Sequence, residues 1–392
     1  MRVVTTPSRP CPGASSPAAL ARAAFAALVM AVGSATPACA AAAFADASVV
    51  ATARTPRGNE VGRRTARPRH AVRHPDGTPF ARPQRAAFGA FAAELAAREA
   101  LPVDWVLAQL GKAQHVAAVR RLVMPPPPGQ PKNWQAYRER FVERGRIDAG
   151  LAFWRENAHW LERAEAEYGV PPQIVVAIIG VETYYGRLVG RFRVLDALAT
   201  LAFDFPPGRS DRSAFFRGEL EAFLLWCRSE GVDAAEPRGS YAGAIGLPQF
   251  MPSSTRQYGV DFDGDGHVDL RGSAADAIGS VARYLAHFGW QRGLPAAYEV
   301  EPPDLPAERA SLLASDIVPR FSVAEFAAHG ARLAASAQAH EGPLALVELD
   351  NGGAAPSYYA GSTNFYAITR YNWSSYYAMA VIALAQALER AR

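Results

Sequence analysis

The stretch Pro171-Pro172-Gln173-Ile174-Val175-Val176-Ala177-Ile178-Ile179-Gly180-Val181-Glu182-Thr183-Tyr184-Tyr185-Gly186 carries a single carboxylate at the end of an unbroken apolar run. Two prolines suit a helix start, because the N–H groups they lack have no intrahelical partner in a first turn. The residues after them are apolar on every side, which predicts a helix buried all round and not a surface helix. Such a helix needs other elements packed against each of its faces. Glu182 lies one turn beyond Ile178, with Ile179 beside it, so it shares an aliphatic face. Removing a carboxylate from water favours its protonated form, and a carboxyl protonated near neutral pH is what general-acid catalysis uses. A buried ion pair with Arg187 or Arg191 fits the same spacing. This stretch alone does not decide between the two.

Working outward, 392 residues of which 49% are hydrophobic allow two or three structural units and a sizeable core. Lys and Arg total 41 against 37 Asp and Glu, and much of the Arg excess lies before residue 86. No clustered basic face with interleaved aromatics is present, which argues against nucleic acid as a partner. Arg22 precedes the apolar segment Ala23 to Val32, too short to span a bilayer, and Ala38-Cys39-Ala40 fits a small-x-small cleavage site. Residues 1–40 therefore read as a signal peptide, with the periplasm as destination and no transmembrane helix. Cys39 raises an outer-membrane lipoprotein alternative, but Thr36 stands where a lipidation motif has Leu. Cleavage after Ala40 removes Cys11 and Cys39 and leaves Cys227 alone, so the exported fold relies on its core and not on a disulfide. Residues 41–85, rich in Ala, Arg, Pro and Thr, read as a disordered basic linker.

From Phe88 the apolar residues fall three and four apart: Phe88, Phe91 and Leu95, then Trp105, Leu107 and Leu110. A proline break, Pro125 to Pro128, separates them from Trp134, Tyr137, Phe141 and the Phe153 to Leu161 stretch. Leu195, Leu198, Leu201 and Phe203 predict another helix, and Phe215 to Trp226 one more. Residues 239–254 then turn small and glycine-rich, ending Leu247-Pro248-Gln249-Phe250-Met251-Pro252-Ser253-Ser254. Glycines let backbone approach a ligand, and Gln249 offers both a donor and an acceptor. An ordinary loop with Ser253 or Ser254 as N-cap fits the same residues.

Asp261-Phe262-Asp263-Gly264-Asp265-Gly266-His267-Val268-Asp269 has three Asp at alternate positions and Gly at the sixth, the first half of an EF-hand loop. Asp261, Asp263, Asp265, His267 through its carbonyl, and Asp269 are candidate ligands of a structural Ca2+. The twelfth position, which should hold a bidentate acid, is Gly272. Asp276 substitutes if the loop bulges, and Ser273 to Asp276 also has capping-box spacing for a helix from Ala274 to Phe288. Further on, Ala296 to Val300 and Leu344 to Leu349 read as strands around an Asn351-Gly352-Gly353 turn. Short helical pieces fall at 310–313 and 323–329, and Tyr358, Tyr359, Phe365 and Tyr366 read as members of further strands. A helix from Ala378 to Ala391, capped by Ser374 or Ser375, ends the chain.

Taken in order, these motifs resemble the B-type lytic murein transglycosylases, a lysozyme-like group of peptidoglycan-cleaving enzymes. The resemblance runs from about Phe88 to the C-terminus. It rests on Tyr168 to Ile174, Gly180-Val181-Glu182-Thr183-x-x-Gly186, Leu195 to Leu201, Ser240 to Ser254, Asp261 to His267, Asp276 to Ala282, and Ile368-Thr369-Arg370-Tyr371-Asn372-x-Ser374. It implies an α+β, predominantly α, fold. Residues 86–295 would form a helical subdomain plus a lysozyme-like core with the EF-hand-like loop 261–272. Residues 296–370 would form a small strand-containing subdomain, and 371–392 a C-terminal helix returning to the core. The family's single acid/base falls on Glu182, and its sugar-cleft positions fall on Tyr137, Ser240, Gln249, Tyr284, Tyr371, Asn372 and Tyr377. Two departures stand out: Gly272 with one extra residue where the family's calcium loop closes on Asp, and Leu247-Pro248 in place of a more Gly-rich pair.

The resemblance implies cleavage of the β-1,4 bond between N-acetylmuramic acid and N-acetylglucosamine, leaving 1,6-anhydromuramic acid ends. Most glycosidases use two carboxylates, whereas these motifs offer one. An intramolecular nucleophile, the muramic acid C6 hydroxyl, resolves the deficit. No cofactor is required for that chemistry. A hydrolytic muramidase on the same scaffold and a non-catalytic calcium-stabilised peptidoglycan-binding protein are the alternatives. Peptidoglycan glycan strands are the expected partner of a monomer, with cell-wall synthesis or remodelling proteins as candidate associates.

Overall fold

The computed structural model describes residues 77–125 and 132–392; the stretch 1–40 read as a signal peptide, the part of the expected linker up to residue 76, and Pro126 to Pro128 lie outside them. The spacings of three and four become β1 (Gly77–Thr78), α1 (Arg82–Arg98), α2 (Val103–Leu110), β2 (His115–Val116) and α3 (Ala117–Leu122). After them come α4 (Trp134–Glu139), α5 (Arg144–Glu156), α6 (Ala158–Tyr168) and α7 (Pro172–Thr183). The middle of the chain holds β3 (Phe192–Arg193), α8 (Val194–Phe203), α9 (Ser213–Ser229), β4 (Arg238–Gly239), α10 (Pro252–Tyr258) and α11 (Ala274–His287). Next are β5 (Ala297–Glu301), α12 (Pro306–Leu313), α13 (Val323–Ala328), β6 (Arg332–Leu333), β7 (Ala345–Asn351) and β8 (Ala354–Gly361). Two helices, α14 (Thr363–Tyr371) and α15 (Ser375–Ala391), close the chain. The fold is predominantly helical with small sheets.

Every residue of α7 from Ile174 to Thr183 is buried, as its all-round apolar sequence predicts. Helices α5, α6, α11 and α15 cover it, and Trp154, Leu161, Ile278, Phe365 and Leu384 join its core. Burying each Ile or Val there contributes roughly 1.5–3 kcal/mol, so α7 is the axis of this part of the molecule. A second core is shared by α1, α2, α8 and α9 through Phe88, Leu110, Leu198 and Phe223. A third, smaller one lies under an antiparallel sheet of order β6-β5-β8-β7. Its β7–β8 hairpin pairs Ala345 with Gly361 and Asn351 with Ala354, with a register shift between Leu349 and Asn351. Gly352 and Gly353 supply the positive φ that its tight turn requires.

Two expectations are corrected. Tyr358 and Tyr359 are in β8, but Phe365 and Tyr366 lie in α14. The Ser362 side chain accepts the Asn364 N–H and starts the helix there, and Phe365 faces the α7 core. Neither Ser253 nor Ser254 caps α10. Its N-cap is Met251, and Ser253 instead binds a carboxylate of α9. The terminal helix is capped by Ser374, whose side chain accepts from Tyr377 N. No helix among the described residues is long and apolar enough to cross a membrane.

Candidate active site

Helix α7 stops one residue after Glu182. Tyr184 (φ 51°), Tyr185 (φ 57°) and Gly186 (φ 85°) are all left-handed, which costs a non-glycine residue of order 1–3 kcal/mol unless its surroundings impose it. Here they do. The Tyr185 ring enters between Gly150 and Gly180, where a Cβ on Gly180 would stand 2.5 Å from the phenol oxygen, and it stacks on Phe153 at 5.6 Å. Arg146 donates to Gly180 O at 2.6 Å and lies 4.6 Å over the Tyr184 ring. Nothing in the periodicity of the sequence signals this double turn, because tyrosine has no preference for it.

Glu182 is 5% exposed, and burial pushes its carboxyl up to about 7 against the opposing effect of one hydrogen bond from Tyr377. That bond, Tyr377 Oη to Glu182 Oε1, is 2.6 Å long. Glu182 makes no ion pair among the described residues. The cation nearest in sequence, Arg187, lies over the Tyr184 ring at 4.9 Å. The ion-pair reading of this stretch is therefore set aside.

Around the acid stands a wall of phenols. Tyr371 stacks on Tyr377 at 6.4 Å and contacts Tyr284 at 4.9 Å. Tyr284 donates to Arg370 O at 2.6 Å, and Tyr371 to Pro248 O at 2.6 Å. Tyr137 on α4, edge-on to Tyr376 at 5.9 Å, is pushed up to about 12 by burial and by the charge of the Glu182 carboxylate.

The Ser240 hydroxyl accepts from Ala242 N and Ala244 N, at 3.3 and 3.0 Å, which folds the glycine-rich loop. Gln249 has positive φ, 49°, and its Nε2 donates to Val189 O and Gly246 O. Two carbonyl acceptors require the NH2 end there, which leaves the carboxamide oxygen for a ligand. Asn372 is 4% exposed, and neither end of its amide has a hydrogen-bond partner. Buried polar groups are rarely left so, and a polar ligand would satisfy it.

The other buried acids have structural work. Asp196 takes Gln114 N and neighbours Arg193. Glu219 takes the N–H and hydroxyl of Ser253, and Asp276 takes Phe262 N and Asp269 N. Asp276 also joins Asp261 and Asp263 in a cluster whose ligand atoms lie within 4.8 Å of one another. Asp265 is not in that group; its carboxylate caps His267 N. His267 turns its ring to Glu230 at 3.1 Å, and Asp269 faces Arg271 at 3.5 Å. The structure thus gathers two of the expected acids with the one that follows the bulge.

Comparison with known proteins agrees with this geometry. The transglycosylase SLT domain matches residues 84–386. The chain belongs to the transglycosylase SLT domain family. Membrane-bound lytic murein transglycosylase B of Escherichia coli K12 is 42% identical over 293 residues, 72% of this chain and 77% of that one. Soluble lytic transglycosylase SltB1 of Pseudomonas aeruginosa superposes with a TM-score of 0.71 at 41% identity, over 78% of this chain and 99% of that one. The E. coli lytic transglycosylase Slt35, in complex with calcium, gives 0.70 at 38% identity, over 84% and 99%. This transglycosylase is accordingly a peptidoglycan-acting enzyme with a lysozyme-like, mainly helical fold.

Proposed function

We propose that Glu182 is the sole acid/base of a lytic cleavage between N-acetylmuramic acid and N-acetylglucosamine. The observation that carries this is its isolation. Among the described residues, no other carboxylate perturbs Glu182, and its one hydrogen-bond partner is a neutral phenol. The protonated carboxyl gives its proton to the bridging oxygen, and the C1–O bond breaks. The substrate's own acetamido oxygen stabilises C1. Glu182, now a carboxylate, takes the proton from the C6 hydroxyl as O6 bonds to C1. A 1,6-anhydro ring forms and no water is consumed. Holding nucleophile and C1 in one molecule replaces a second enzyme carboxylate. Gln249 Oε1, the Asn372 amide, Ser240 and the phenols of Tyr137, Tyr284, Tyr371 and Tyr377 orient the acetamido group and ring.

The test is digestion of purified peptidoglycan followed by muropeptide masses, for the parent and Glu182→Gln. Anhydro ends, lighter by one water than reducing ends, are expected from the parent and lost in the variant. Reducing ends from the parent would favour a hydrolytic muramidase instead.

Ca2+ is proposed as a structural ion of loop 261–276. Carboxylate oxygens sharing a Ca2+ at 2.3–2.6 Å can stand no more than about 5 Å apart, and Asp261, Asp263 and Asp276 meet that limit. The ion would neutralise three converging carboxylates and has no part in the bond cleavage. A melting midpoint unchanged by a calcium chelator would argue against it. Export by residues 1–40 to the periplasm, and action as a monomer on glycan strands, complete the proposal.

A further inference from the structure

Thr183 follows the acid directly and joins two pieces of the site that the chain keeps far apart. It is fully buried. Its hydroxyl donates to Leu247 O at 2.9 Å, stands 3.2 Å from Ile179 O one turn back, and accepts the Gly186 N–H at 3.1 Å. A threonine late in a helix commonly bonds back only to the carbonyl four residues earlier. Here the shorter bond crosses to the loop that carries Gln249.

That loop segment is fixed independently. Leu247 N donates to Leu270 O at 2.8 Å, and Tyr371 Oη donates to Pro248 O at 2.6 Å. Leu247 and Pro248 are therefore anchored to the acidic loop on one side and to α14 on the other. The end of α7, by contrast, runs straight into the strained Tyr184-Tyr185 turn. Thr183 is the side chain that refers that end to the anchored loop, and through Gly186 N it also braces the turn.

We propose that Thr183 is a positioning residue that holds the Glu182 carboxyl in register with Gln249. The proposal rests on Glu182 as the acid. Thr183 does not itself reach substrate, because no part of it is exposed. Without the hydroxyl, Leu247 stays bonded to Leu270 and Pro248 to Tyr371, so the binding loop keeps its place while the helix end is released. The expected signature is a fall in kcat with little change in KM. A misplacement near 1 Å costs up to about 100-fold in rate.

The experiment compares parent, Thr183→Val, Thr183→Ser and Glu182→Gln for release of anhydro ends from glycan strands, normalised to folded protein by circular dichroism. Thr183→Val is expected to lose about 10- to 100-fold in kcat with KM within about threefold. Thr183→Ser, which keeps the hydroxyl and loses only a methyl, is expected within about threefold of the parent in both constants. Should the valine protein not fold, Thr183→Ala carries the same thresholds at reduced temperature. Parent-like kcat in the hydroxyl-free variant overturns the proposal. So does an equal loss in the serine variant, which would assign the effect to packing of the methyl. Parent-like activity of Glu182→Gln would instead sink the acid assignment, leaving the two failures distinguishable.

Discussion

Glu182 and Asp196 are buried carboxyls of the same chain, one in the core around α7 and one in the core around α8 and α9, and they are served by opposite kinds of neighbour. Asp196 is 1% exposed, receives Gln114 N at 2.8 Å and stands 3.4 Å from the buried Arg193 Nε. Burial pushes it up to about 6, against the pull of Arg193 and the Gln114 N–H. Glu182 has a single neutral donor, and no hydrogen bond among the described residues reaches its Oε2. Asp196 has a backbone N–H on one oxygen and a buried cation beside the other, which makes no hydrogen bond to it, whereas Glu182, the proposed acid, has no cation near it and one neutral donor. The same burial thus accompanies a brace in one core and the proposed proton donor in the other.

The largest effect expected from that contrast is on activity. Glu182→Gln should lower the release of anhydro ends by about 1,000-fold, within the range general acid–base groups supply. Asp196→Asn should leave the rate per folded molecule unchanged. An inactive but fully folded Asp196→Asn protein would erase the distinction.

Stability should show the reverse. Asparagine at 196 leaves Arg193 buried without its counter-charge, and breaking such a pair costs about 3–5 kcal/mol. Urea melts should register that loss, and Glu182→Gln should show none of comparable size at neutral pH.

How much of this contrast is legible in the sequence depends on how far apart the partners lie. The buried helix is legible from Pro171 to Thr183, because all-round apolarity has one physical solution. The α11 cap at Ser273 and the hairpin at Gly352-Gly353 are legible from local chemistry. The Tyr377 bond is not, since it spans 195 residues, and only the family resemblance brings Tyr377 to the site. Asp196 gives no sign that Arg193 beside it is buried too. Phe365 and Tyr366 mislead because neighbouring aromatics suit a strand as well as a helix, and Ser362 decides the matter. Gly272 leaves the acidic loop open in the sequence, and folding brings Asp276 to its edge. The left-handed Tyr184 and Tyr185 follow from the space offered by Gly150 and Gly180, which only the fold reveals.

The pH dependence of stability sharpens the comparison further. Glu182 sits at about 7 in the folded protein against a reference of 4.5. Between those values the folded state holds a proton that the unfolded chain has released, so stability falls as pH rises through that window. The contribution is fully present below pH 4.5 and lost above pH 7, about 3 kcal/mol at 1.36 kcal/mol per unit. Glu182→Gln removes this dependence. The stability of the variant relative to the parent should therefore improve by about 3 kcal/mol from pH 4 to pH 8 in paired denaturant melts. A difference that does not vary with pH would mean that Glu182 ionises as freely when folded as when unfolded.

The smallest effect concerns the one donor Glu182 does have. The Tyr377 hydroxyl stabilises the carboxylate and so opposes burial. Tyr377→Phe keeps the ring that stacks on Tyr371 and removes only that bond. Hydrogen bonds to charged groups contribute about 1.5–3 kcal/mol, so the Glu182 proton should be held more tightly by about one to two units. The basic limb of kcat/KM, which follows loss of that proton, should move to higher pH by this amount. The other groups facing the acid do not titrate there: burial and the Glu182 carboxylate push the Tyr137, Tyr371 and Tyr377 phenols up, and burial does the same to Tyr284. At the optimum the variant should also be several-fold slower, because the carboxylate formed after the first proton transfer has lost its donor. A limb that moves to lower pH would show that Tyr377 acts on Glu182 mainly by excluding water, and the contrast with Asp196 would then rest on burial alone.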